Sequence, residues 1–276
     1  MTAWLAHVDK GRVTKVEGVE TFYLDLGRGH PLLLIHGWGS SSFSWRKNYP
    51  VLSSVFRVVA VDLPGFGMSS RLPSGFHLDT VSSHLFHFLE TLGIDRVSLI
   101  GHSMGGAIAS HMAAQQPEKV SKLVLVSPSL LGEGSGKRPF FVELARNKFV
   151  GKVLARVMLN RYFVRRALKN AYSNPGLVDE EMVEGYFQSV VRSGPVLLDA
   201  FNIMREFNLS VMEKIECDIL FVLGEKDSWV PADGNRAIAE RTGAKLVVIP
   251  DAGHSPHEEK HEQVNNIIIT FLQSSM

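Results

Sequence analysis

The sequence predicts an α/β fold: a doubly wound, mostly parallel sheet with a helical cap insertion. Three observations carry this. Short continuous apolar runs such as Pro31–Ile35 and Phe56–Asp62 read as strands buried on both faces. Segments with helical periodicity alternate with them, the arrangement of repeated β-then-α units. One long stretch, Leu130 to Glu216, breaks the alternation, because no buried-strand run occurs in it.

Along the chain, Gly11–Glu17 and Val19–Leu26 pair as a hairpin at one sheet edge. Pro31–Ile35, Phe56–Asp62, Val97–Ile100, Leu123–Val126, Ile219–Leu223 and Leu246–Ile249 are the remaining strands. The helices between them are Leu78–Leu92, Met104–Gln115, Gly234–Arg241 and Glu258–Leu272. The stretch from Leu130 is too long for a loop in a compact domain. Phe141, Leu144, Ala145, Phe149, Val153, Leu154 and Val157 recur in it at helical spacing, and Gly132 to Gly136 reads as a hinge. The expected organisation is a core of residues 1–129 and 217–276, with residues 130–216 as a helical cap over the strand ends. Ligands of such sheets sit beyond those ends, where His36, Asp62, Ser103, Ser127 and Asp227 fall.

Composition excludes several classes. The 276 residues carry a net charge of +1, which gives no global case for nucleic-acid binding. With 45% hydrophobic and 21% charged residues the chain reads as an ordinary globular protein. Cys217 is the single cysteine, so no internal disulfide forms, and at the start of a strand it reads as a small buried hydrophobe. The first residues lack the basic start and apolar core of a signal peptide. No apolar run approaches the ~20 residues that span a bilayer. A cytoplasmic protein without stable membrane insertion is the expectation.

The chemistry gathers around Gly101-His102-Ser103-Met104-Gly105, a G-x-S-x-G pattern between a strand and a helix. The chain must reverse there within a residue or two, which strains the backbone at Ser103 and lifts its hydroxyl above the sheet edge. The helix N-terminus beneath it favours developing negative charge. A serine hydroxyl needs a base. His254 is the candidate, on a loop between the last strand and the final helix; His257 and His261 read as surface residues. The base needs an orienting carboxylate. Asp227, past the end of Ile219–Leu223, is preferred, with Glu225, Asp251 and Asp62 as competitors. Backbone N–H groups must meet the oxyanion. Met104 supplies one, and Trp38, in the turn His36-Gly37-Trp38-Gly39, the second. His36, Gly37, His102, Phe140, Phe141 and Trp229 are the expected pocket residues. His102 neighbours the serine, yet its side chain should point away from that of Ser103.

Five segments in this order resemble the α/β-hydrolase superfamily, in its esterase, lipase and haloperoxidase-like branch. They are His36–Gly39, Asp62–Ser69, Gly101–Gly106, Gly224–Asp227 with Val230-Pro231, and Gly253–Pro256. The resemblance runs from Val19 to Leu272 apart from the cap, and it implies an α/β-hydrolase fold. It implies a Ser103–Asp227–His254 triad, a cap that sets substrate choice, and neither cofactor nor metal. Haloalkane dehalogenases and epoxide hydrolases of this fold attack with a carboxylate, a part that Ser103 cannot play.

The expected function is a serine carboxylesterase acting on short- to medium-chain esters, the small-molecule substrate suggested by the apolar cap. A carbon–carbon bond hydrolase, a perhydrolase, and a non-catalytic receptor with the same fold are the alternatives. The first half of the cap is basic, with Arg161, Arg165 and Arg166 among its cations, and the second half is acidic. The basic half reads either as a solvated face paired with the acidic half or as a docking surface for an anionic partner.

Overall fold

The computed structural model describes residues 2–130, 160–194, 196–200, 203 and 206–274. The strands are β1 (Arg12–Val16), β2 (Val19–Leu26), β3 (Pro31–Ile35), β4 (Arg57–Val61), β5 (Val97–His102), β6 (Val120–Val126), β7 (Asp218–Gly224) and β8 (Lys245–Ile249). They form one sheet in the order β1-β2-β4-β3-β5-β6-β7-β8. β1 and β2 pair antiparallel, as do β2 and β4; every other pair is parallel. The hairpin and the parallel runs stand where the sequence places them.

The helices are α1 (Ala3–Val8), α2 (Tyr49–Leu52), α3 (Leu78–Thr91), α4 (Met104–Gln115), α5 (Arg161–Ala171), α6 (Glu180–Ser193), α7 (Val196–Asp199), α8 (Ala232–Thr242), α9 (Pro256–Glu259) and α10 (His261–Gln273). Each sheet face carries its own apolar layer. One holds Leu33, Ile35, Leu99 and Leu125 with Leu85 and Phe88 of α3 and Ile108 and Met112 of α4. The other holds Leu32, Leu34, Val58 and Val124 with Leu52 of α2 and Val264, Ile268 and Phe271 of α10. A strand covered on both sides needs no polar alternation, which is why these segments read as continuous apolar runs.

The strand order has a consequence for the site. From β3 the chain runs outward to β4 and returns past β3 to β5, so the loops leaving β3 and β5 diverge from a common point. Ile35 stands beside Gly101 in that parallel pair. The turn at His36 therefore lies against the bend at Ser103, and such a switch point is where α/β sheets form their crevice.

Three features depart from the sequence reading. α1 was not expected; it packs its Trp4 against Phe43 and touches α6. The final helical pattern is two helices, broken at Lys260, whose backbone (φ −126°, ψ 43°) is not helical. The break turns His257 inward, so it is fully buried rather than on the surface. Cys217 is only half-buried.

The β6–β7 connection contributes α5, α6 and α7. α5 is basic and α6 begins with Glu180, Glu181 and Glu184. Arg165 makes a double hydrogen bond to Glu180 (2.5 and 2.6 Å), and Arg161 pairs with Glu184. Phe140, Phe141 and the Gly132–Gly136 stretch lie outside the described residues. Among the described residues no helix is long and apolar enough to cross a membrane.

Candidate active site

Ser103 sits between β5 and α4 with φ 52° and ψ −118°, a backbone region that costs a non-glycine residue roughly 1–3 kcal/mol. The surroundings impose it. A Cβ on Gly105 would stand 2.4 Å from the Ile35 carbonyl oxygen, and one on Gly101 would stand 2.3 Å from the Gly105 oxygen. The strand and the helix are thus packed backbone to backbone, and Ser103 is the residue left to make the bend. Met104 is the first residue of α4, so its N–H has no carbonyl four residues back within the helix.

Three strand-end loops bring three side chains into line. The Oδ2 atom of Asp227, beyond β7, lies 2.8 Å from His254 Nδ1. His254 Nε2, beyond β8, lies 3.0 Å from Ser103 Oγ. Asp227 is itself held, since its Oδ1 accepts the N–H groups of Trp229 and Val230, each at 2.9 Å. Burial works to raise the Asp227 pKa, but the adjacent His254 and these hydrogen bonds outweigh it and hold the carboxyl below its ordinary value. An ionised Asp227 accepts the Nδ1–H of His254 and leaves the Nε2 lone pair toward the serine hydroxyl.

The competing acids are engaged elsewhere. Asp251 pairs with Lys226 at 2.5 Å, and Glu225 accepts the Asp251 N–H. Asp62 is fully buried and accepts the N–H and hydroxyl of Ser42 and the N–H of Met68. Burial pushes its pKa up to about 6, against those hydrogen bonds.

The turn after β3 lies against the serine, because a Cβ on Gly37 would stand 3.2 Å from Ser103 Cβ and 3.0 Å from His102 Nδ1. Trp38 donates its indole N–H to the Leu197 carbonyl at 2.7 Å, which ties this turn to α7. Two expected pocket residues are placed otherwise. His36 has no exposed surface; its Nδ1–H donates to the Gly37 carbonyl and its Nε2 accepts the Leu63 N–H. It braces the turn from beneath, and burial drops its pKa to about 4. His102 is buried and donates Nε2–H to the His254 carbonyl at 2.9 Å. Burial, with His254 beside it, lowers its pKa to about 3. Its side chain therefore supports the loop of His254 instead of opening to a pocket. Trp229 is 43% exposed and stacks on the His254 ring at 5.4 Å, at the mouth of the site.

Sequence reasoning missed the groups that hold the His254 loop from the other side. The His254 N–H donates to the Ala171 carbonyl at the end of α5, at 2.7 Å. Glu259 accepts the Gly253 N–H at 2.7 Å. A backbone carbonyl has no sequence signature. The one signal for Glu259 was an acidic residue inside the short turn begun by Pro256.

Known proteins share this frame. The dihydrolipoyllysine-residue acetyltransferase component of the acetoin cleaving system of Pseudomonas putida is 30% identical over 89% of this chain, which spans 64% of that protein's length. A 2-hydroxy-6-oxononadienedioate/2-hydroxy-6-oxononatrienedioate hydrolase of Comamonas testosteroni is 28% identical over 90% of this chain and 89% of its own. The crystal structure of CarC, a serine hydrolase involved in carbazole degradation, superposes with a TM-score of 0.81 at 25% identity, covering 96% of this chain and 99% of its own. Residues 30–261 match the alpha/beta hydrolase fold family, and the chain belongs to that family.

Proposed function

We propose that this protein is a cofactor-free serine hydrolase that cleaves carboxylic esters of short to medium chain length through Ser103, His254 and Asp227. The observation that carries the reading is the unbroken hydrogen-bonded line from Asp227 through His254 to Ser103, ending on a serine held in a strained bend. His254 takes the hydroxyl proton while Ser103 Oγ attacks the ester carbonyl. The N–H groups of Met104 and Trp38 meet the oxyanion. His254 then returns the proton to the departing alcohol, leaving an acyl-Ser103. A water molecule, deprotonated in turn by His254, releases the carboxylic acid and restores the serine. Asp227 fixes the tautomer of His254 throughout and stabilises its cation.

A second reading has a specific observation behind it. The relative from Comamonas testosteroni, similar over 90% of this chain, is named as a hydrolase of 2-hydroxy-6-oxononadienedioate and 2-hydroxy-6-oxononatrienedioate. Carbon–carbon bond hydrolysis uses the same serine, base and oxyanion donors on a ketone. A chain-length series of p-nitrophenyl esters, run beside a 2-hydroxy-6-oxo-dienoate with wild type and Ser103→Ala, separates the two. Ester turnover that falls at least ~10³-fold in Ser103→Ala supports the first reading. Turnover of the dienoate at the higher kcat/KM replaces it with the second, and near-full activity of Ser103→Ala ends both.

A further inference from the structure

We infer that Glu259 is a positioning residue for His254: its carboxylate fastens the loop that carries the base to the segment following α5. The base is thereby tied to the β6–β7 connection as well as to the strand ends. The inference rests on the serine hydrolase reading and deepens it.

The geometry is a two-sided clamp. Glu259 ends α9 and is nearly buried. Its Oε1 faces the base loop and accepts the Gly253 N–H at 2.7 Å. Its Oε2 faces the other way and accepts the N–H groups of Ser173 at 2.8 Å and Asn174 at 3.4 Å. The two backbone segments are in direct contact as well. The His254 N–H meets the Ala171 carbonyl at 2.7 Å, and a Cβ on Gly253 would stand 2.3 Å from that oxygen and 3.0 Å from Glu259 Oε1. On the far side, His102 holds the His254 carbonyl. The backbone of the base is thus gripped between the bend at Ser103 and the end of α5.

The residue type is what this task requires. Only a carboxylate offers acceptor oxygens on both sides of one carbon. An amide would present its NH₂ group to one set of N–H donors and break that side. The neighbour Glu258 serves differently. It pairs with Arg46, accepts the Tyr186 hydroxyl of α6 and acts on Tyr172 after α5, but its carboxylate makes no hydrogen bond to the backbone of Gly253 or His254. Two adjacent acids on one turn therefore make separable ties to the β6–β7 connection, and only that of Glu259 passes through the loop of His254.

The test compares Glu259→Gln with Glu258→Gln. Hydrogen exchange is followed by mass spectrometry in the segments 171–174 and 251–254, and kcat and KM are measured on a p-nitrophenyl ester. In Glu259→Gln, exchange in both segments should rise at least about tenfold. Its kcat should fall roughly 10- to 100-fold with KM moving less than about threefold, since the base is displaced while the binding surface is not. Glu258→Gln, compared at a temperature giving equal loss of stability, should keep kcat within about threefold. Unchanged exchange in Glu259→Gln overturns the clamp, and equal kcat losses in the two variants reduce Glu259 to a structural role. Should Glu259→Gln fail to fold, Glu259→Asp keeps both oxygens one methylene short, with the same pattern expected in milder form. Exchange reads the clamp without turnover, so absence of ester hydrolysis in the wild type would count against the proposed function alone.

Discussion

The sheet half of this molecule and its β6–β7 connection serve the site in opposite ways. Ser103, Asp227 and all eleven histidines lie outside residues 130–216, and the proposed triad stands on loops at strand ends. The connection contributes backbone groups instead: the carbonyls of Ala171 and Leu197, and the N–H groups of Ser173 and Asn174. The contrast teaches where function leaves a trace. Proton transfer needs particular side chains, and those make motifs. Support needs only a donor or acceptor in the right place, which any residue's backbone provides.

The largest effect expected on the sheet side comes from Asp227→Asn. Its oxygen would stay with the N–H groups of Trp229 and Val230, turning the amide NH₂ toward His254 Nδ1. That arrangement favours a proton on Nε2, where the serine proton must go. A fall in kcat of about 10⁴-fold on the ester is expected, with little change in melting temperature. A loss under tenfold would break the assignment of the acid to the strand end and move it to another carboxylate.

The same contrast governs how much was legible. Continuous apolar runs gave the strands, because burial on both faces permits nothing else there. Glycines flanking Ser103 and proline after His254 marked the loops. α1 escaped notice: six residues are too few for a periodic signal, and what holds it is Trp4 and His7 inserted among Phe43, Tyr49 and Ser42. His257 was misplaced because one helical period was read through Lys260, where the chain breaks. Glu259 was hidden by its partners, which are all backbone N–H groups.

Histidine placement yields the next prediction, a steep loss of stability in acid that belongs wholly to the sheet half. Burial lowers the pKa of His7 and His102 to about 3, of His36 to about 4, and of His257 well below its usual value. Their neutral forms stabilise the fold above pH ~6.5, and that stability is lost as the pH falls toward those lowered values, because the unfolded chain takes up the protons first. Asp62, raised to about 6, and Glu259, raised by burial, act in the opposite sense. Each favours the folded chain in acid and loses that contribution as pH rises through its folded pKa. His84, lowered to about 4, acts with those four, so the histidines outweigh the carboxyls and unfolding free energy should drop by a few kcal/mol (~1.4 for each net proton) per pH unit between pH 6 and 5. Urea titrations at pH 7, 6 and 5 measure it, and a flat profile would mean that these histidines are charged in the folded state.

The smallest effect falls on the seam between the two halves. Gly185 of α6 lies against Phe43, in the segment that continues from the turn His36–Gly39; a Cβ there would stand 2.1 Å from Phe43 Cε1 and 2.4 Å from Cζ. Phe43 is fully buried between Trp4, His7 and Tyr186, so its ring has little room to yield. Gly185→Ala should cost about 1–3 kcal/mol through overpacking, read as a lower urea midpoint at unchanged m-value. Phe43→Leu frees space at the ring edge, so the double variant should be more stable than the sum of the single losses predicts. Strict additivity would mean that α6 shifts as a body to accept the methyl group. In that case Ser189, whose hydroxyl meets that of Ser41 at 2.7 Å, would carry the displacement into the turn beside Ser103. A fall in kcat accompanying additive stability losses would then show that the connection acts on the chemistry through packing as well as through its backbone hydrogen bonds.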